Sequence, residues 1–176
     1  YTTFANFARR RRASIPAAAL APGRPRFAPG GVSVDHPFPS VAVLRPAPVS
    51  RLIVEQAMAR GASAVICHGF AGEDSVKACV DASKGQVFVL CEMSHPGGRQ
   101  FTAPVADRLA AIAKASGARG IVAPATRPER VTELRRIVGD MEIITPGVGA
   151  QGGKASDAIK AGADYIIVGR AIYEAN

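Results

Sequence analysis

The sequence has no lysine before Lys77, and its first fifty residues hold no glutamate and a single acid, Asp35. That third of the chain can supply no ammonium group and almost no carboxylate. Cysteines are few. Cys67, Cys79 and Cys91 lack close C-x-x-C pairing and stand in apolar surroundings, so they read as reduced core cysteines of a cytoplasmic protein. A metal site drawn from Cys67, His68, Cys91 and His95 is disfavoured, because adjacent strand residues point to opposite faces and Cys67 and His68 cannot easily serve one ion. No apolar run approaches a membrane span, and the arginine-rich start is not followed by a signal-type apolar core. No P-loop string occurs.

What is present divides near residue 50. The first fifty residues hold seven arginines, ten alanines and eight of the thirteen prolines, and they carry most of the formal charge of +8. Proline at this density forbids continuous helix or a central strand, so Ala13 to Gly31 reads as irregular or disordered. Only Ser40 to Leu44 looks like a strand there. In the remaining 126 residues basic and acidic side chains nearly balance, and no aromatic-interleaved basic motif appears, which argues against a nucleic-acid partner.

From Ser50 onward helix and strand patterns alternate. Helices are expected over Arg51–Ala59, Gly72–Ala82, Val105–Ala115, Arg127–Val138 and Ala155–Ala161. Strands are expected at Ser63–Cys67, Gln86–Cys91, Gly120–Ala123, Glu142–Ile144 and Tyr165–Val168, with a loop at Ser94–Gly98. Near-continuously apolar strands joined by helices over short turns mean parallel βα units. Five such units without a strand-order reversal signal fit the C-terminal part of a (β/α)8 barrel better than a flavodoxin-like doubly wound sheet. A chain of 176 residues is short of the ~250 usual for a complete barrel, and both ends read as cut. A barrel truncated in this way would leave its first and last strand edges open to aggregation.

Two strand ends draw attention. Thr145-Pro146-Gly147-Val148-Gly149-Ala150-Gln151-Gly152-Gly153 follows one strand, and Gly169-Arg170 follows the next. Glycines leave backbone N–H groups uncovered, the helix at Ala155 begins just after them, and Arg170 can take two phosphate oxygens on its planar fork. Phosphate pockets of (β/α)8 barrels commonly lie between the loops after the last two strands. Each loop alone is equally consistent with an ordinary turn; the ordered pair points to phosphate binding.

The string Thr145–Gly153 together with Ile166–Tyr173 closely resembles the archaeal orotidine 5'-monophosphate decarboxylases. So do His68–Ser75, Glu92-Met93-Ser94-His95-Pro96-Gly97 and Thr126-Arg127-Pro128-Glu129-Arg130, all in order over roughly residues 50–176. The resemblance implies a (β/α)8 barrel, usually a homodimer, that converts orotidylate to UMP and CO2 in pyrimidine biosynthesis without cofactor or metal. It also implies that Gln151 and Arg170, with amides at Gly152 and Gly169, hold the 5'-phosphate. Ser94 would bond the pyrimidine, and Pro146 and Val148 would line the base pocket. A related Mg2+-dependent sugar-phosphate decarboxylase or hexulose-phosphate synthase, and a catalytically dead phosphate-ligand-binding protein, are the alternatives.

The catalytic half departs from the resemblance. The family places an Asp-x-Lys-x-x-Asp pattern on an earlier strand, and alignment back from Gly61 puts it on Ser40, Ala42 and Arg45, none of which matches. Lys77, Lys84, Lys114, Lys154 and Lys160 all fall on predicted helices or their starts. Residues 1–49 are therefore expected to be either a shifted reading frame of GC-rich DNA or a genuinely decayed stretch, and the abrupt break favours the former. Translating the coding DNA upstream of Ser50 in all three frames checks this: an Asp-x-Lys-x-x-Asp strand in a neighbouring frame is the expected outcome, and its absence from every frame leaves a chain without its catalytic centre.

Overall fold

The computed structural model describes residues 6–9, 42–43 and 45–169; the expectations for Ala13–Gly31 and for Arg170–Tyr173 lie outside them. Seven strands form one sheet: β1 (Asn6–Arg9), β2 (Ala42–Val43), β3 (Val65–His68), β4 (Val87–Leu90), β5 (Gly120–Val122), β6 (Glu142–Pro146) and β7 (Tyr165–Val168). Their order is β1-β7-β6-β5-β4-β3-β2. From β2 to β7 every neighbouring pair is parallel and the strands stand in chain order, as successive βα units require. β1 runs antiparallel along the other edge of β7, with Asn6 opposite Val168. The sequence signalled no strand there.

The helices are α1 (Ala47–Ala59), α2 (Glu73–Ser83), α3 (Gly98–Phe101), α4 (Ala106–Ala115), α5 (Pro128–Val138) and α6 (Ala155–Lys160). α1 starts four residues before the expected Arg51. Pro46 and Pro48 read as breakers in the sequence, but a first turn has no intrahelical partner for its N–H groups, and here Val49 and Ser50 both donate to Pro46 O at 3.0 Å. α3 is a single turn inside the stretch expected to be loop.

Strand residues alternate between two apolar layers. Val65 and Cys67, Val87 and Val89, Ile121, Ile143 and Ile166 pack against Val54, Val76, Val80, Leu109, Ala113, Val131, Leu134 and Ala158 of the helices. Their neighbours Ala64, Phe88, Val122 and Ile144, with Ile66, Leu90, Tyr165 and Ile167 beside them, form a second cluster that contains no helical residue. Among the described residues, all the helices that bury apolar side chains therefore lie on one side of the sheet. That is a barrel wall rather than a doubly wound sheet, whose two faces would both carry helices. The floor of this inner wall is closed at Gly120. A Cβ there would stand 2.2 Å from Glu142 O and 2.6 Å from the Phe88 ring, while Arg119 lies 5.5 Å from that ring centroid and forks onto both Glu142 oxygens at 3.0 and 3.2 Å.

All three cysteines are buried and free. Neighbouring Cys79 and burial push the Cys67 thiol well above its usual range, and burial does the same to Cys91.

On the N-terminal side of the sheet Arg135 joins α5 to the starts of β6 and β7. Its guanidinium donates to Gly162 O at 2.7 and 3.1 Å, to Gly139 O and Met141 O at 2.6 Å each, and to Asp164 Oδ2 at 2.5 Å. Asp164 Oδ2 in turn accepts from Ile143 N at 2.9 Å. One side chain thus satisfies three loop carbonyls. Charged hydrogen bonds of this kind contribute about 1.5–3 kcal/mol. Arg135→Ala is expected to lower stability by roughly 2–3 kcal/mol in urea unfolding, and Arg136→Ala, which removes the neighbouring charge, by well under 1 kcal/mol.

Candidate functional site

The candidate residues leave the C-terminal ends of β4 and β6, and the order of the sheet sets how they meet. β4 stops at Leu90, after which Cys91 N and Glu92 N still donate to Val122 O of β5 at 3.2 and 3.5 Å. The chain then departs with Met93, Ser94 and His95. β6 ends at Pro146, whose carbonyl accepts from Ala125 N at 2.9 Å, and the glycine loop begins.

Glycine is obligatory at the turn out of β6. Gly147 has φ +102°, and a Cβ on it would meet Ser94 Cβ at 3.0 Å and Thr126 Cγ2 at 3.1 Å. The loop closes on itself through a parallel bridge between Val148 and Gly153, with Gly149 N on Gly153 O at 2.9 Å, Gly152 N on Gly149 O at 2.7 Å and Gly153 N on Gly147 O at 3.0 Å. The amide of Gly152, expected to face phosphate, is thus donated within the loop. Gly149, Ala150, Gln151 and Gly152 are exposed, so the loop stands out from the sheet between β6 and α6.

The two strand ends touch through one pair. Ser94 Oγ donates to Gln151 Oε1 at 2.8 Å, joining the residue expected to hold a base to the residue expected to hold a phosphate, fifty-seven positions later in the chain. Pro146 and Val148 flank the same turn and are half-buried, and Gly169 lies at the end of β7. Arg170 falls outside the described residues.

Beneath Ser94 lies a set of polar side chains to which the sequence analysis gave no role, although it quoted the two motifs that contain most of them. Glu92 has no solvent exposure and accepts from Arg127 Nε at 2.9 Å and Arg130 Nε at 2.8 Å. The other Arg127 nitrogens donate to Met93 O at 2.5 Å and Ser94 O at 3.4 Å, and Thr126 Oγ1 also donates to Ser94 O at 2.8 Å. From the opposite side Thr102 Oγ1 accepts from Met93 N at 3.1 Å and donates to Gly98 O at 2.9 Å. Burial by itself would lower the pKa of Arg130, but its bonds to Glu92 and Asp107 outweigh that and hold it above the ordinary value. The available signal was a carboxylate directly after an all-apolar strand, an arrangement that demands a partner.

His68, at the end of β3, accepts from Phe70 N on Nδ1 at 3.3 Å, and burial pushes its pKa below the usual imidazole value. Cys67 beside it points into the helix-side core. The lysines sit away from strand ends: Lys77 and Lys84 on α2 and its C-cap, Lys114 on α4, Lys154 and Lys160 on the N-cap and last turn of α6. Among the described residues none lies at the C-terminal end of a strand.

A parallel wall whose described helices all pack on one face defines part of a (β/α)8 barrel. Residues 49–176 match the model of the orotidine 5'-phosphate decarboxylase / HUMPS family, and the chain belongs to that family. Among curated relatives it is 58% identical over 130 residues to the orotidine 5'-phosphate decarboxylase of Methanosarcina acetivorans, covering 72% of this chain and 59% of that one. To the enzyme of Thermococcus kodakarensis it is 51% identical over 143 residues, covering 79% and 66%. The crystal structure of orotidine 5'-monophosphate decarboxylase from Methanocaldococcus jannaschii complexed with the inhibitor BMP superposes with TM-score 0.71 at 45% identity, over 78% of this chain and 64% of that one. The chain therefore spans about three-fifths of the relatives it matches.

Gly147→Ala tests whether the turn holds the two strand ends together. A left-handed alanine costs about 1–2 kcal/mol, and the added methyl also presses on Ser94 and Thr126. Urea unfolding should show that loss; unchanged stability would mean that the turn accepts a side chain.

Proposed function

We propose that this chain carries the nucleotide-binding half of an orotidine 5'-phosphate decarboxylase site. Gln151 and Arg170, with the amide of Gly169, hold the 5'-phosphate, while the amides of Gly149, Gly152 and Gly153 keep the loop in shape. Ser94 bonds the pyrimidine, and Pro146 and Val148 wall the base. The observation that carries the reading is the Ser94–Gln151 hydrogen bond of 2.8 Å, which brings the base-side and phosphate-side residues into one site. The substrate is a small nucleotide, no cofactor takes part, and the protein works in the cytoplasm as a homodimer.

Decarboxylation of orotidylate breaks the bond between the ring and its carboxylate, leaves the electron pair on the ring carbon, and needs a proton delivered there. An acid facing the departing carboxylate and an ammonium beside the carbon supply that step. The five lysines of this chain stand on helices or helix ends, and the first fifty residues hold only Asp35. Binding groups remote from the reacting carbon cannot themselves face the departing carboxylate or deliver the proton, so without the acid and the ammonium the step is left unassisted. The chain as it stands binds nucleotide and turns over little.

The test is calorimetric titration with UMP alongside an orotidylate absorbance assay. Saturable UMP binding that falls at least tenfold in Arg170→Ala, with turnover near background and no response to Mg2+, is the expected result. Turnover at rates typical of the family would overturn the claim of impaired catalysis. A Mg2+ requirement would move the chain to the sugar-phosphate branch, and lack of UMP binding would remove the nucleotide reading.

A further inference from the structure

Glu92 is a carboxylate with no exposure, held between Arg127, which is 8% exposed, and Arg130, which is 21% exposed. Burying such a group costs several kcal/mol before its partners offset it, and apolar residues of similar size often stabilise a fold as well or better. What the ion pairs add is direction. Arg127 gives Nε to Glu92, and because the guanidinium is a rigid plane, fixing Nε also fixes where the two remaining nitrogens point. They point at Met93 O and Ser94 O, the last carbonyls before the Ser94 side chain reaches Gln151.

We propose that Glu92 is a positioning residue for nucleoside recognition: through Arg127 it sets the backbone at Met93 and Ser94 and so aims the Ser94 hydroxyl at the base. The proposal rests on the nucleotide-site reading above. Arg130 supports it from α5, taking the second Glu92 oxygen and pairing with Asp107 Oδ1 of α4 at 2.7 Å, which keeps the carboxylate from rotating. Among the described residues Glu92 accepts hydrogen bonds from Arg127 and Arg130, so its effect reaches the site through Met93 and Ser94, on the base side.

Comparing UMP with ribose 5-phosphate by titration calorimetry separates the two halves of the site. The wild-type chain binds UMP more tightly, and the ratio of the two affinities measures the contribution of the base. Glu92→Gln, which keeps shape but releases one arginine, is expected to reduce that ratio about five- to tenfold, the loss of roughly one well-made hydrogen bond. Ribose 5-phosphate should bind this variant as it binds the wild type. Arg127→Lys keeps a positive charge beside Glu92 without the fork, and the same fall is expected. It decides the matter if Glu92→Gln does not fold.

A lower melting temperature with an unchanged ratio would make the network merely structural and overturn the proposal, as would failure of both variants to fold. Wild-type protein that binds both ligands equally would also overturn it, because Ser94 would then contribute nothing to base recognition. Wild-type protein that binds neither would overturn the nucleotide site first, and this inference with it.

Discussion

The buried carboxylate of Glu92 is the fixed point from which the C-terminal rim is assembled. Strands β4 and β5 end in apolar side chains whose contacts are non-directional, whereas an ion cannot stay dry without its counter-ions in reach. Arg127 is held at the start of α5, where the following Pro128 keeps it out of helical geometry and opens the helix. Arg130 lies one turn further on. The pairing therefore fixes where α5 begins relative to the end of β4, and with it the stretch Met93–Ser94. Gly147 completes the arrangement from β6, because the absence of a side chain lets Ser94 and Thr126 approach the turn.

Most of the scaffold was legible because its elements obey local rules. Apolar runs of four or five residues between helical patterns located β3 to β7, with ends displaced by a residue or two. The unbroken chain order excluded a reversal, and the one-sided distribution of buried helix residues agrees. Pro46 and Pro48 misled the reading of α1, since the same residue that breaks a helix interior suits its first turn. β1 was invisible for a different reason: Asn6 to Arg9 alternate no apolar and polar pattern, and the strand is defined by its partner on β7.

The candidate site was legible where backbone chemistry dictates residue type and obscure where side chains meet across the fold. Glycines at 147, 149 and 152 announce a turn because they take left-handed φ values. Nothing local announces that Ser94 and Gln151 bond, or that Glu92 takes two arginines from a helix thirty-five and more positions later. Such contacts follow from the sheet order. The expectation that Gly152 offers a bare amide overlooked the tendency of a glycine turn to satisfy its own hydrogen bonds.

The antiparallel seat of β1 on β7 bears on how the molecule assembles. Every other strand pair joins consecutive βα units, so each can form soon after its second strand exists. β1 and β7 lie about 160 residues apart, and pairing them closes the longest loop in the sheet, a step whose entropic cost rises with length. On that ground it is the last of the strand pairings to form. Its reversal uncovers the hydrogen-bonding edge of the strand that delivers Gly169, so order at that end of the rim depends on the part of the chain made first.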